Sequence, residues 1–175
     1  MMINPARRIA LVTAMLTLGV VPPAMAGPTA ATVTVTGGAL SISVPTDAGN
    51  LGSRANTVSG GVISGPLGQV QVNDARSAAA GSGWVASVIS TAFTPSSGPT
   101  IGAAAVGYTA GTVAKVGTAT FTANDPGDLT GTVAAVTATG ITGDNSATWN
   151  PTINVAIAGG KAAGVYSGTI THSVS

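Results

Sequence analysis

Residues 68–94, GQVQVNDARSAAAGSGWVASVISTAFT, constrain the fold more than any other stretch of the chain. Val70 and Val72 alternate with Gln69, Gln71 and Asn73, the period-2 spacing of a strand with one face in a core. Asp74-Ala75-Arg76 and a run of small residues then read as a polar loop, and a second strand begins at Trp84. From there both parities are apolar, with Trp84, Ala86 and Val88 on one face and Val85, Ile89 and Phe93 on the other. A strand covered on both sides is central in a layered fold. The second tryptophan, Trp149, opens a similar segment. If that strand runs unbroken past Pro151, then Trp149, Ile153, Val155 and Ile157 share one face.

The rest of the chain repeats the theme of short strands and turn residues. Residues 31–36 and 39–44 read as a hairpin turned by Gly37-Gly38. Val62 and Ile63 form a further strand, followed by residues 100–108, 112–116, 117–123 and 129–141. Gly143-Asp144-Asn145 reads as a turn leading to Trp149. A last hairpin pairs Ile153, Val155 and Ile157 with residues 165–174 across Gly159-Gly160-Lys161. The chain is 45% hydrophobic yet only 3% aromatic and 6% charged, with 25 glycines, which suits strands and turns rather than amphipathic helices or disorder. The expected fold is all-β: an antiparallel β-sandwich of about eight to ten strands with Greek-key connections. No fixed period runs through it, so a solenoid is disfavoured.

Residues 1–26 have the features of a secretion signal. Arg7 and Arg8 form the positive start, residues 9–21 the apolar run, and Ala24-Met25-Ala26 the cleavage site. The 13-residue run is short beside the roughly 20 residues of a membrane span. The mature chain, residues 27–175, is expected to be one domain without a membrane span. It carries Arg54, Arg76, Lys115 and Lys161 against Asp47, Asp74, Asp125, Asp128 and Asp144, a formal charge of −1 with no basic patch for nucleic acid. Without cysteine, neither disulfides nor a lipid-modified N-terminus is available to it.

The two indoles read as filling between sheets, their N–H groups seeking buried acceptors; a sugar-stacking platform is the other reading. Asp74 and Arg76 stand two apart and read as a structural pair orienting the loop before Trp84. His172, the only histidine, shares parity with Ile170 and Val174 and reads as a packed strand residue. No nucleophile elbow accompanies it, so no enzymatic activity is expected. Asp125 and Asp128 fit a turn better than a calcium loop. Neither cofactor nor metal is expected.

These residues resemble the WxL domain of Gram-positive cell-surface proteins. The likeness rests on the early Val-rich segment, on Gln71-Val72-Asn73-Asp74-Ala75-Arg76, on Gly83-Trp84 and Thr148-Trp149, and on the ending from Ala163 to Val174. The leucine position of the two motifs is Ala86 in the first and Pro151 in the second, so the chain resembles a diverged member. The resemblance implies a β-sandwich held non-covalently on the cell wall, with peptidoglycan or another wall glycan as ligand. It also implies a possible membrane-anchored Ig-like surface protein as partner. Trp84, Trp149, Asp74 and Arg76 are then the motif residues, and the polar loops 77–83 and 143–146 beside the tryptophans the expected contact surface.

Overall fold

β-Branched residues alternating with small polar ones build ten strands in the computed structural model, which describes residues 30–175. The expected leader and its cleavage site lie outside the described residues. In chain order the strands are β1 (Leu40–Ser43), β2 (Gly61–Pro66), β3 (Val70–Ser90), β4 (Thr94–Pro95), β5 (Val106–Thr109), β6 (Ala114–Ala123), β7 (Val133–Trp149), β8 (Thr152–Ile157), β9 (Tyr166–Ser167) and β10 (Ile170–Val174). A single turn of 3₁₀ helix, Ala103–Ala105, leads into β5.

The strands form an antiparallel β-sandwich. The larger sheet has the order β1-β3-β7-β6, with β10 also paired to β3; the smaller is β2-β8-β5, and β4 pairs β9 as a separate ribbon. Between the sheets lie Val70, Val72, Trp84, Ala86 and Val88 of β3, Val136, Ala138, Ile141, Ala147 and Trp149 of β7, and Val106, Tyr108, Ile153 and Val155 of the smaller sheet. Each fully buried Val or Ile in such a set contributes about 1.5–3 kcal/mol. β3 is central, as the two apolar parities predict, although Val85 and Ile89 on its outer face are only half-buried.

One edge of β3 is shared by two strands laid end to end. β1 covers Gln71 to Asp74, and β10 covers Ala86 to Ser90. Beyond them, the Gly38 N–H donates to the Ala75 carbonyl, and Ser175 exchanges bonds of 2.9 and 3.1 Å with Val85. β6, at the far side of the sheet, has no strand on its outer edge among the described residues.

Several local expectations are corrected. Residues 31–36 form no strand, and β1 pairs with β3 instead of folding back on them. Gly37-Gly38 is not a hairpin turn but a close approach: a Cβ on Gly38 would lie 2.9 Å from the Ala75 Cβ. β8 pairs with β2 and β5, while β10 crosses to β3, so the last hairpin does not exist. Residues 77–83 are an irregular part of one long β3 rather than a loop, and Gly143-Asp144-Asn145 lies within β7 rather than turning it. Residues 112–116 and 117–123 give one strand, β6, with Gly117 at a break in its register.

The strand through Trp149 breaks at Asn150-Pro151, where the chain passes from the larger sheet to the smaller. Proline cannot donate to a ladder, so the break falls where pairing changes sheets. The reverse passage, from β2 to β3, is tied to it: Leu67 N–H donates to the Pro151 carbonyl at 2.8 Å and Gly68 N–H to Asn150 Oδ1 at 3.1 Å. Parity survives the break, since Trp149, Pro151, Ile153 and Val155 are all buried.

Candidate functional site

The middle of β3 carries more chain than its partner. Ten positions separate Asp74 from Trp84, while only seven separate their partners Asn145 and Ala138 on β7. The three surplus residues must bulge. Residues 75–83 accordingly form an arch whose side chains, Arg76 apart, are small and exposed or half-buried. Within it Ser77 has φ 53°, the one positive φ of a non-glycine among the described residues. Its N–H donates to Asp144 Oδ1 at 2.8 Å, which holds the left-handed conformation in place.

Beneath the arch runs a chain of polar groups. Arg76 grips Asp74 with two prongs, Nε to Oδ1 at 2.8 Å and Nη2 to Oδ2 at 3.0 Å, and Nη2 also donates to the Gly83 carbonyl at 3.2 Å. Asn145 Nδ2 donates to Asp74 Oδ2 at 3.2 Å, and Trp84 Nε1 donates to Asn145 Oδ1 at 2.9 Å. The Asp74 side chain is 0% exposed and that of Arg76 37%. Burial alone would raise the Asp74 pKa, but the Arg76 hydrogen bonds outweigh it and hold the carboxyl below its ordinary value. The predicted pairing of Asp74 and Arg76 is therefore present, and it spans both feet of the arch.

Asp74→Ala is expected to cost about 1–3 kcal/mol, because the buried Asn145 amide loses its acceptor. Urea unfolding gives the energy. Faster hydrogen exchange at the Ser77 amide would report the loosened arch, and unchanged exchange and stability would show that the network does not hold it.

Trp149 sits in a second buried cluster. Its Nε1–H donates to the Tyr108 hydroxyl at 2.7 Å, and His172 Nε2 lies 3.2 Å from the same oxygen. With Trp149 donating to it, the hydroxyl has its own proton to give, and the bare Nε2 of a neutral His172 is the acceptor. The rings of Tyr108 and His172 meet at 5.6 Å and 59°. Burial pushes the Tyr108 pKa up and brings that of His172 down to about 4. Tyr108 and Asn145 escaped the sequence reading, since a tyrosine on a short strand and an asparagine in a supposed turn carry no sign of a buried partner.

Both indoles are 2% exposed and both N–H groups have partners. Trp84 also packs against Phe121 at 5.8 Å and 60°. The interior reading of the tryptophans therefore describes their placement: both lie in one hydrophobic core, and their N–H groups join separate polar networks. Asp128 accepts from the Thr130 N–H and hydroxyl at 2.8 and 2.6 Å, as turn residues do, whereas Asp125 accepts from the Ala110 N–H at 2.9 Å and so ties its loop to the end of β5 rather than making a local turn.

A groove of about 770 Å³ opens elsewhere, lined by residues that include Arg54, Phe93, Ile101, Lys161 and Tyr166, and by neither tryptophan. Its only sequence signal is the lapse of alternation between Pro45 and Gly61. Its two cations are engaged with backbone: Arg54 Nη2 donates to the Gly60 carbonyl at 3.0 Å and Lys161 Nζ to the Thr100 carbonyl at 2.6 Å. That leaves the arch as the better-organised exposed surface. Comparison with protein-family models, with curated proteins and with solved structures finds no match to this chain.

Proposed function

We propose that this is an exported surface protein that associates non-covalently with the cell wall, and that the arch at residues 75–83 is its contact surface. The observation that carries the reading is the arch itself. It holds three residues more than pairing with β7 requires, and it is fixed from below by Arg76, Asp74 and Asn145. Strained backbone held by surrounding contacts concentrates at functional positions, and Ser77 is such a residue. With both indoles enclosed, wall contact falls to the small side chains of the arch that leads into Trp84. Alanines and glycine allow close approach to a flat sugar face, and Ser77 and Ser82 supply hydroxyls. The secretion signal read from residues 1–26 and the resemblance to WxL domains point the same way. No helix among the described residues is long and apolar enough to cross a membrane.

Fractionating producing cells into wall, membrane and medium, then sedimenting purified protein with isolated walls, tests the reading. Wild-type protein is expected in the wall fraction and in the wall pellet. The double variant A79E/A80E, at two exposed positions, is expected to melt like wild type and stay in the supernatant. Recovery of wild type only in the medium, or a variant that pellets as well as wild type, would count against the arch. A second reading, a subunit that docks on a membrane-anchored Ig-like surface protein, is favoured by the open edge of β6. Cell retention without binding to isolated walls would bring it forward.

A further inference from the structure

Among the described residues, the outer edge of β6 has no strand beside it and residues 31–36 pair with no strand. β6 runs for ten residues, contains no proline, and carries a single charge, Lys115. A long edge of this kind presents a row of free backbone donors and acceptors to any extended chain. On the core side of β6, Ala119 and Phe121 are only half-buried, so the larger sheet ends before its apolar layer is covered. Lys115 reaches back with Nζ 6.0 Å from the Phe121 ring centre. On its other side Thr118, Thr120 and Thr122 are exposed.

Residues 32–36 read Thr-Val-Thr-Val-Thr, a strong strand pattern, yet they pair with no strand among the described residues, and Val33 and Val35 are 91% and 85% exposed. Laid beside β6, this segment would put its two valines next to Ala119 and Phe121 and its threonines next to Thr118, Thr120 and Thr122. Such cross-strand threonine and apolar pairs stabilise a sheet. We infer that the segment at residues 31–36 of one copy adds as a strand to the β6 edge of a second copy.

Chain geometry rules out the same copy. Gly38 is bonded to Ala75 at the β1 edge, and β6 lies at the other end of the order β1-β3-β7-β6. With strands about 4.8 Å apart, the place beyond β6 is roughly 19 Å from β1. The two steps from Gly38 back to Thr36 span at most about 7 Å. The donor must therefore come from another molecule. Because donor and acceptor are different surfaces, the contact is head-to-tail and copies add in series, as an open ladder or as a ring where the rotation between copies closes.

The test uses exported protein, free of wall material, so its result is independent of the wall-binding reading. Light scattering across a concentration series is expected to show an open ladder of oligomers or a closed ring for wild type. V33D/V35D is expected to weaken that association by about a hundredfold or more, since each carboxylate would be placed against Phe121 and Ala119. Its melting curve is expected to match wild type, because the valines it replaces are exposed. The chain has no cysteine, so single-cysteine variants give clean cross-links. Mixed T34C and T120C proteins are expected to form the mixed disulfide under mild oxidation. Wild type that stays monomeric at millimolar concentration overturns the inference, as does a V33D/V35D variant that assembles like wild type. T120C that links chiefly to itself also overturns it, by showing β6 paired with β6.

Discussion

Replacing Trp149 with alanine is expected to lower the unfolding free energy by about 3–5 kcal/mol. The side chain is 2% exposed, and its removal leaves both a cavity between the sheets and a Tyr108 hydroxyl without its donor. Trp84→Ala should fall in the same range, since it removes the ring that packs on Phe121 and strands the Asn145 Oδ1 acceptor. Against a typical domain stability of about 5–15 kcal/mol, either variant can still fold but should melt roughly 10–15 °C lower. Calorimetry measures the shift. Binding to isolated walls, measured below the melting temperature, should fall only with the folded fraction. Variants that keep the wild-type melt and lose the wall would instead return the indoles to the role of sugar platform.

Lowering the pH is expected to weaken the fold in two separate windows. The first belongs to His172, whose folded pKa is about 4 against an ordinary value of 6.5. Between those values the unfolded chain takes up a proton that the folded chain refuses, so stability falls as pH drops from 6.5 to 4 and then levels off. Protonation there would also confront the Tyr108 hydroxyl with two donors, Trp149 and His172. The loss is about 2 kcal/mol once the partial exposure of the ring is allowed for. The second window belongs to Asp74, whose pKa is lowered from 3.8; its contribution is present above that value and disappears as pH falls through the lowered one. Urea unfolding at about pH 7, pH 5.5 and pH 4.5 should show a declining free energy for wild type and a nearly flat one for H172Q over that range. A wild-type curve without slope there would mean that His172 is not held neutral.

The sequence made the sandwich legible because alternation reports burial directly: Val70, Val72, Trp84, Ala86 and Val88 all face inward as their parity predicts. Pairing was far less legible. Gly-Gly between two alternating runs carries the signature of a hairpin whether it turns a chain or lets two backbones approach, and Gly37-Gly38 does the latter. The same ambiguity misplaced β10, because nothing in Ile170 or Val174 says which strand they will join. At the candidate site, Asp74 and Arg76 were readable as neighbours in sequence. Asn145, which joins them to Trp84 from 61 residues away, was not, since that contact exists only once β3 and β7 have paired.

That non-local pairing bears on how such a chain could be exported. Of all the strand pairs, only β6 and β7 are consecutive in the chain; β3 emerges early but takes its partners from β1, β7 and β10. Forming contacts between distant segments requires closing long loops first, which slows folding. If a chain of this topology were threaded N-terminus first through a narrow channel, β3 would reach the far side well before its partners β7 and β10. Neither edge of β3 is fully paired until those partners have followed it. Such a chain would stay in a form that can be threaded for most of its passage, because its topology delays pairing.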